Sequence, residues 1–300
     1  MSTAAKPRFV LADLVALATV TIWGTGFVVQ KIALDQIDPL GFTFVRYAVM
    51  LGLAWIGFAA AGGESIARGD RQRVLWTGVL GYSCYILLST IGLRYTTAFS
   101  NALLIGTAPL MTIGLLAAAG MERISRNQVL AALAALVGVL VFISAKIGAR
   151  MHTAGIGDAI CLAAALCFAA YAVVNKPLLS KYRLSTVMAW TLTAGTLPVL
   201  LATLPVALAE PWRSVTPVGW AAIAWSSIVP VYVAWNLWNW STQRIGLART
   251  SIYMYLIPIV GGFTSWALLG ERFGSEKVVG ALLILGSLVI SRFNQRGPDR

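Results

Sequence analysis

Ten windows of the 300-residue chain contain no Asp, Glu, Lys or Arg: 14–30, 47–63, 74–93, 95–121, 127–145, 159–175, 184–209, 214–243, 250–270 and 278–291. Nothing else in the sequence restricts the fold so severely. A bilayer core of ~30 Å takes roughly 20 helical residues, with about 17 as the lower limit. Nine windows reach that length, and the tenth, 278–291, reaches it once Lys277 and Arg292 extend toward the lipid surface. The windows are continuously apolar, which excludes the period-two alternation of a membrane β-barrel. Helices satisfy their own backbone hydrogen bonds, which lipid cannot do for them. The expectation is an all-α membrane protein with ten transmembrane helices. A charged share of 11% agrees, since a soluble globule carries about 25%.

The formal charge of +12 invites a nucleic-acid reading. Placed on a topology with Lys6 and Arg8 in the cytoplasm, fifteen of the 23 basic residues fall on the cytoplasmic side, seven fall opposite, and Arg46 lies inside the second span. That bias follows the positive-inside rule, so the charge reports orientation and no nucleic-acid partner is expected. Lys6 and Arg8 before an apolar run also resemble a signal peptide. No small-residue cleavage site followed by a polar domain appears, so the run reads as an uncleaved first helix. Cys84, Cys161 and Cys167 all sit within apolar windows without metal spacing, as buried reduced thiols do. Neither a metal nor a cofactor is expected.

The chain also repeats itself. PLMTIGLLAAAGMER (109–123) and PIVGGFTSWALLGER (258–272) both run from Pro through twelve residues to Glu-Arg, 149 positions apart. Asp13, Trp23 and Lys31 match Asp158, Phe168 and Lys176, each displaced by 145. Two signals at nearly one offset indicate a repeat of about half the chain. Each half holds five spans. An odd number makes the second copy enter the membrane from the opposite side, giving an inverted repeat and, with it, the expectation of alternating access.

Pro109 and Pro258 fall mid-span in the fourth and ninth helices. Each removes a backbone N–H and crowds the preceding turn, so both read as bends. Gly106, Gly261 and Gly262 beside them allow close approach of helices or solute. The bends serve either gating or packing. Glu122 and Glu271 read as structural, capping the following helix or pairing with the adjacent arginine.

The WG…K pattern of the first helix (Trp23, Gly24, Lys31) resembles the EamA repeat of the drug/metabolite transporter superfamily. So do the twin Pro-x12-Glu stretches and the glycines that follow them (Gly138, Gly280, Gly286). The resemblance runs from about Leu11 to Ile290 and is strongest to the superfamily's exporters of aromatic amino acids and related metabolites. It implies a cavity between the two halves, lined by the first, third, fourth, sixth, eighth and ninth helices. It also implies a bacterial inner-membrane location with both termini cytoplasmic. On that pattern residues 1–10 form the cytoplasmic N-terminus and 11–146 the first repeat, helices 1–5. A connecting loop, 147–157, leads to the second, inverted repeat, 158–291 (helices 6–10), and 292–300 form the cytoplasmic C-terminus. One departure stands out: Arg46 has no basic counterpart in the seventh helix.

Polar groups near the bilayer midplane are the candidates for solute contact, because lipid penalises them. They are Trp23 and Thr25 in the first helix, and Tyr82, Tyr85 and Ser89 in the third. The fourth offers Asn101 and Thr107, the sixth Tyr171, the eighth Tyr232 and Asn236, and the ninth Tyr253. Aromatic faces with neutral hydrogen-bonding tips suit an apolar side chain joined to a zwitterionic or amide-like head. The same residues also serve as interhelical packing. Trp76, Trp220, Trp238 and Trp240 lie near span ends and read as an interfacial belt.

No Asp or Glu lies deep in any span, and His152 sits in a polar connection. The expected function is therefore uncoupled export of small amphipathic metabolites, aromatic amino acids first. A broader drug or metabolite carrier, or a lipid-scrambling or structural bundle, is the alternative. No HExxH, GxSxG or paired embedded carboxylates point to an enzyme. Oligomeric state is not legible.

Overall fold

The computed structural model describes residues 11–120, scattered positions between 126 and 141, and 152–247, 250 and 252–293. Among these residues the chain is helical and contains no strand. Seven helices are long and apolar enough to cross a membrane: α1 (Leu11–Leu34), α2 (Pro39–Ala60), α3 (Arg68–Tyr95), α4 (Ala98–Ala118), α5 (Gly155–Lys181), α6 (Leu184–Ala209) and α7 (Pro217–Ile245). Two more follow, α8 (Ile257–Leu269), led in by a 3₁₀ stretch at Ile252–Leu256, and α9 (Ser275–Phe293). Nine of the ten apolar windows thus lie on these helices. The fifth window lies largely outside the described residues, as do Glu122, Arg123 and residues 1–10.

Helix starts follow local chemistry. The Asp38 carboxylate accepts the Leu40 N–H at 2.8 Å ahead of Pro39, whose missing N–H costs nothing in a first turn. Thr216 does the same for Gly219 at 3.1 Å before Pro217. The α3 C-terminus is closed from outside: Lys31 Nζ donates to the carbonyls of Leu93 and Thr96 at 2.8 and 2.9 Å. The lysine of the WG…K pattern is thereby a helix clamp.

Glu271 departs from expectation. It neither caps α9 nor pairs with Arg272; its carboxylate accepts the N–H groups of Ala98 at 2.9 Å and Phe99 at 3.4 Å, at the N-terminus of α4. Sequence reasoning looked for a neighbour along the chain. The electrostatics favour an anion wherever unpaired N–H groups and a positive helix end are close in space.

Packing interleaves the two halves. α1 lies on α7 and α8, α2 on α6, α3 on α5 and α6, and α4 on α5 and α8. Apolar side chains also cover the perimeter, with Leu208, Leu201, Phe263, Leu282 and Ile56 all well exposed. A chain that turns such residues outward while burying Arg46, Gln30, Asn101, Asn175 and Asn239 has its polarity arranged for lipid.

Candidate functional site: an aromatic chamber between the halves

α3 and α7 each contain a π-helical stretch, Val79–Ile86 and Val229–Val233. A π turn carries one extra residue, widens the helix locally, and recurs at functional sites. Pro230 lies in the second stretch, and its carbonyl accepts the Trp23 Nε1–H at 2.8 Å. That bond locks the α1 indole over the middle of the bundle.

Trp235 is the hub of the rings gathered there. Its centroid lies 5.1 Å from Tyr82, 5.3 Å from Tyr171, 5.6 Å from Tyr85, and 6.0 Å from both Trp23 and Phe168. Trp23 meets Phe168 edge-on at 5.9 Å. Those two residues match one another in the repeat, and their contact puts the junction of the two halves at the centre of the cluster. Tilted and edge-on ring pairs add about 0.5–1.5 kcal/mol each beyond burial, so the cluster is a rigid wall.

Two polar nests adjoin the cluster. In the first, Arg46 Nη1 donates to Gln30 Oε1 at 3.1 Å and Thr90 Oγ1 at 3.0 Å. Ser89 and Asn101 pair beside it at 3.3 Å. In the second, the Tyr171 hydroxyl accepts the Trp235 indole N–H at 2.7 Å and the Asn175 amide at 3.0 Å, with Asn239 at 3.2 Å. Gln30 and Asn175 are 145 positions apart, the repeat's own offset. The first nest is charged and the second neutral.

A cavity of ≈ 30 Å³ opens between the first nest and the cluster. Trp23, Phe27 and Gln30 line it from α1, Arg46 from α2, Tyr85, Ser89 and Thr90 from α3, and Pro230 and Trp235 from α7. This volume holds about one water. A roomier hollow of ≈ 530 Å³ lies between the start of α3 and α6, lined by Arg71, Val74, Leu75 and Trp190. It touches none of the central rings, so the small cavity is the better candidate despite its size.

Both proline helices break close to this site. α4 interrupts at Gly106 and Thr107 and resumes with Pro109 in the first turn of Ala108–Ala118. Pro258 likewise opens α8 after the 3₁₀ stretch. The breaks touch: a side chain at Gly106 would come within 2.9 Å of the Pro258 ring, and one at Gly261 within 2.5 Å of Ala102. Only glycine lets the two interrupted helices cross at that distance. Gly262 lies against the Phe99 ring in the same crossing.

The profile of the EamA-like transporter family matches the chain twice, over residues 10–144 and 155–293. The chain belongs to that family. It is an integral membrane transporter chain by membership, and the family is not one of enzymes. Curated relatives run nearly its full length. A probable terminal-alkyne amino-acid exporter of Streptantibioticus cattleyicolor is 28% identical over 91% of each chain. A probable amino-acid metabolite efflux pump of Salmonella typhimurium is 27% identical over 94% of each. The uncharacterized transporter YyaM of Bacillus subtilis is 29% identical over 89% of each. One crystal structure shares the fold with a TM-score of 0.66 at 19% identity, covering 96% of this chain and 99% of the other.

In this EamA chain the residues singled out from sequence divide into two groups. Trp23, Tyr85 and Ser89 line the cavity, Asn101 pairs with Ser89, and Tyr82 and Tyr171 complete the ring cluster around Trp235. The others are engaged elsewhere. Thr25 and Thr107 donate back to their own helices, to Thr21 at 2.9 Å and Leu104 at 2.6 Å. Tyr232 donates to the Leu53 carbonyl at 2.9 Å, Asn236 to the Tyr232 carbonyl at 2.8 Å, and Tyr253 to the Asp13 carboxylate at 2.9 Å.

Gln30, Thr90, Trp235, Asn175 and Asn239 escaped sequence reasoning, and Arg46 was noticed without a role. Trp238 is a correction. Expected in the belt, it is buried against Trp23 at 5.1 Å, whereas Trp76 and Trp220 are exposed as a belt requires. Its spacing of three from Trp235, on one helical face, was the available signal.

Proposed function

We propose that this chain exports small amphipathic metabolites, foremost amino acids with aromatic side chains. Two inverted five-helix repeats, ten helices in all, alternate access to the central chamber. The double family match supports the repeat, and the names of the Streptantibioticus and Salmonella relatives support amino-acid-like cargo. One observation carries the reading: a chamber of aromatic faces and hydrogen-bonding tips, built jointly by α1 and α3 from one half and α5 and α7 from the other.

At ≈ 30 Å³ the cavity is far below the ~300 Å³ of a small ligand pocket, so the conformation described is shut around the site. Opening then falls to the elements that can yield, the interrupted α4 and α8 with Gly106, Pro109, Pro258, Gly261 and Gly262 at their crossing. Transport proceeds without proton coupling, because the buried carboxylates Asp13 and Asp158 stand at helix starts, bonded to Tyr253 and Thr96. The chain resides in a bacterial inner membrane with both termini cytoplasmic.

Counterflow in proteoliposomes tests this. Vesicles loaded with unlabelled phenylalanine accumulate labelled phenylalanine with no imposed ΔpH, saturably and in competition with other amino acids. Strict dependence on ΔpH would remove the uncoupled mechanism, and unsaturable flux would remove carriage itself.

A further inference from the structure

We infer that Arg46 is the counter-charge for a carboxylate on the transported solute, an inference that rests on the export reading above. Arg46 is 2% exposed, in a helix whose outer face is apolar. Its only hydrogen bonds among the described residues run from Nη1 to the neutral acceptors of Gln30 and Thr90. Those acceptors orient the guanidinium but leave its charge unbalanced. The Phe42 ring, 4.9 Å from Cζ, adds only a weak cation–π contact. Among the described residues no carboxylate pairs with it.

A cation held this way is costly, both in lipid and in a protein interior. A purely structural site would be filled more stably by an apolar or neutral residue of the same volume. The remedy is an anion that arrives and leaves.

The geometry specifies which anion. Among the described residues Arg46 Nε is buried with no partner, and the guanidinium's hydrogen bonds all run from Nη1. The Nε–Nη2 edge presents two parallel N–H bonds, the fork that holds both oxygens of a carboxylate. Arg46 lines the cavity with Trp23, Tyr85 and Trp235, so a solute gripped there lays its apolar part on the aromatic wall. The repeat gives the grip a polarity. The position 145 residues on is Thr191, whose hydroxyl donates to its own helix at the Val187 carbonyl. Among the described residues the position matching Arg46 is therefore neutral, and the solute binds in one orientation, its carboxylate toward Arg46. Acids are carried; the matching amides and amines are not.

The test uses purified full-length protein and matched probes: phenylalanine with phenylalaninamide and 2-phenylethylamine, and leucine and methionine with their amides. Each is scored for thermal stabilisation and for competition with labelled phenylalanine. In the native protein the acids bind at least about tenfold more tightly than their partners, as a charge-assisted hydrogen-bond pair provides. Arg46→Gln weakens the acids by about 10- to 100-fold and leaves the amides within about twofold. Arg46→Lys keeps the charge but not the fork, falls between the two, and serves as readout should the Gln variant fold poorly. Equal binding of acid and amide by the native protein, or an acid preference that survives Arg46→Gln, overturns the assignment while leaving export standing. Failure of every acid and every amide to bind removes both.

Discussion

Glu271 gives the sharpest stability prediction, because its role differs from anything its neighbours in sequence suggest. Its carboxylate holds two N–H groups at the start of α4, one at 2.9 Å and one at a weaker 3.4 Å. The first is a charge-assisted bond of about 1.5–3 kcal/mol when fully buried. The helix N-terminus adds about 0.3–1 kcal/mol for a nearby anion. Glu271 is half-buried and water can reach the freed N–H groups, so the net loss for Glu271→Ala is reduced to about 1–2 kcal/mol. Glu271→Gln keeps one neutral acceptor and should lose about half as much. At roughly 2–4 °C per kcal/mol, the Ala variant melts about 2–8 °C lower, with the Gln variant between it and the native protein. Arg272→Ala is the control and should be nearly silent. Thermal unfolding of the purified protein, followed by tryptophan fluorescence or by aggregation, measures all three. If Glu271→Ala and Arg272→Ala lower the melting temperature equally, the local ion pair is the true interaction and the cross-chain cap is refuted.

Three other consequences are open to direct measurement. Tyr85→Ala should weaken solute competition several-fold and also lower the melting temperature, since Tyr85 borders the cavity while its buried ring packs against Phe168 and Trp235. Tyr82→Ala, one ring layer away and fully buried, should instead cost about 3–5 kcal/mol of stability, read as a fall in melting temperature. Pro258→Ala restores a backbone donor at the α8 break and should alter turnover in counterflow more than solute affinity; equal loss of both would mean site damage. Trp238→Leu should lower both stability and transport, whereas exposed Trp76→Leu should alter neither by more than about 0.5 kcal/mol in a melting assay or twofold in flux.

The helices were legible because lipid forbids unpaired charge over a fixed length, and that rule needs only the positions of Asp, Glu, Lys and Arg. The ring cluster was partly legible. Tyr82, Tyr85, Tyr171 and Trp23 stood out as polar-tipped aromatics at mid-span. Trp235 and Trp238 did not: a tryptophan near a span end reads as interfacial, and only their spacing of three marks a shared helical face. The π stretches of α3 and α7 leave no mark in composition. They fall at Tyr82 and Tyr85 in α3 and at Pro230 in α7, all buried. Pairings such as Gln30 with Arg46, or Glu271 with the start of α4, join residues 16 and 173 positions apart. Type and spacing alone could name the candidates but not marry them.

The claim at the centre is that one chamber, shared by two halves, opens in turn to each face of the membrane. A single cysteine placed at Ser89, with Cys84, Cys161 and Cys167 replaced by alanine, tests it most directly. A membrane-impermeant thiol reagent should label that cysteine from the cytoplasmic face and, in a separate sample, from the opposite face. Phenylalanine should slow both reactions. Labelling confined to one face, with and without solute, would contradict alternating access through this chamber.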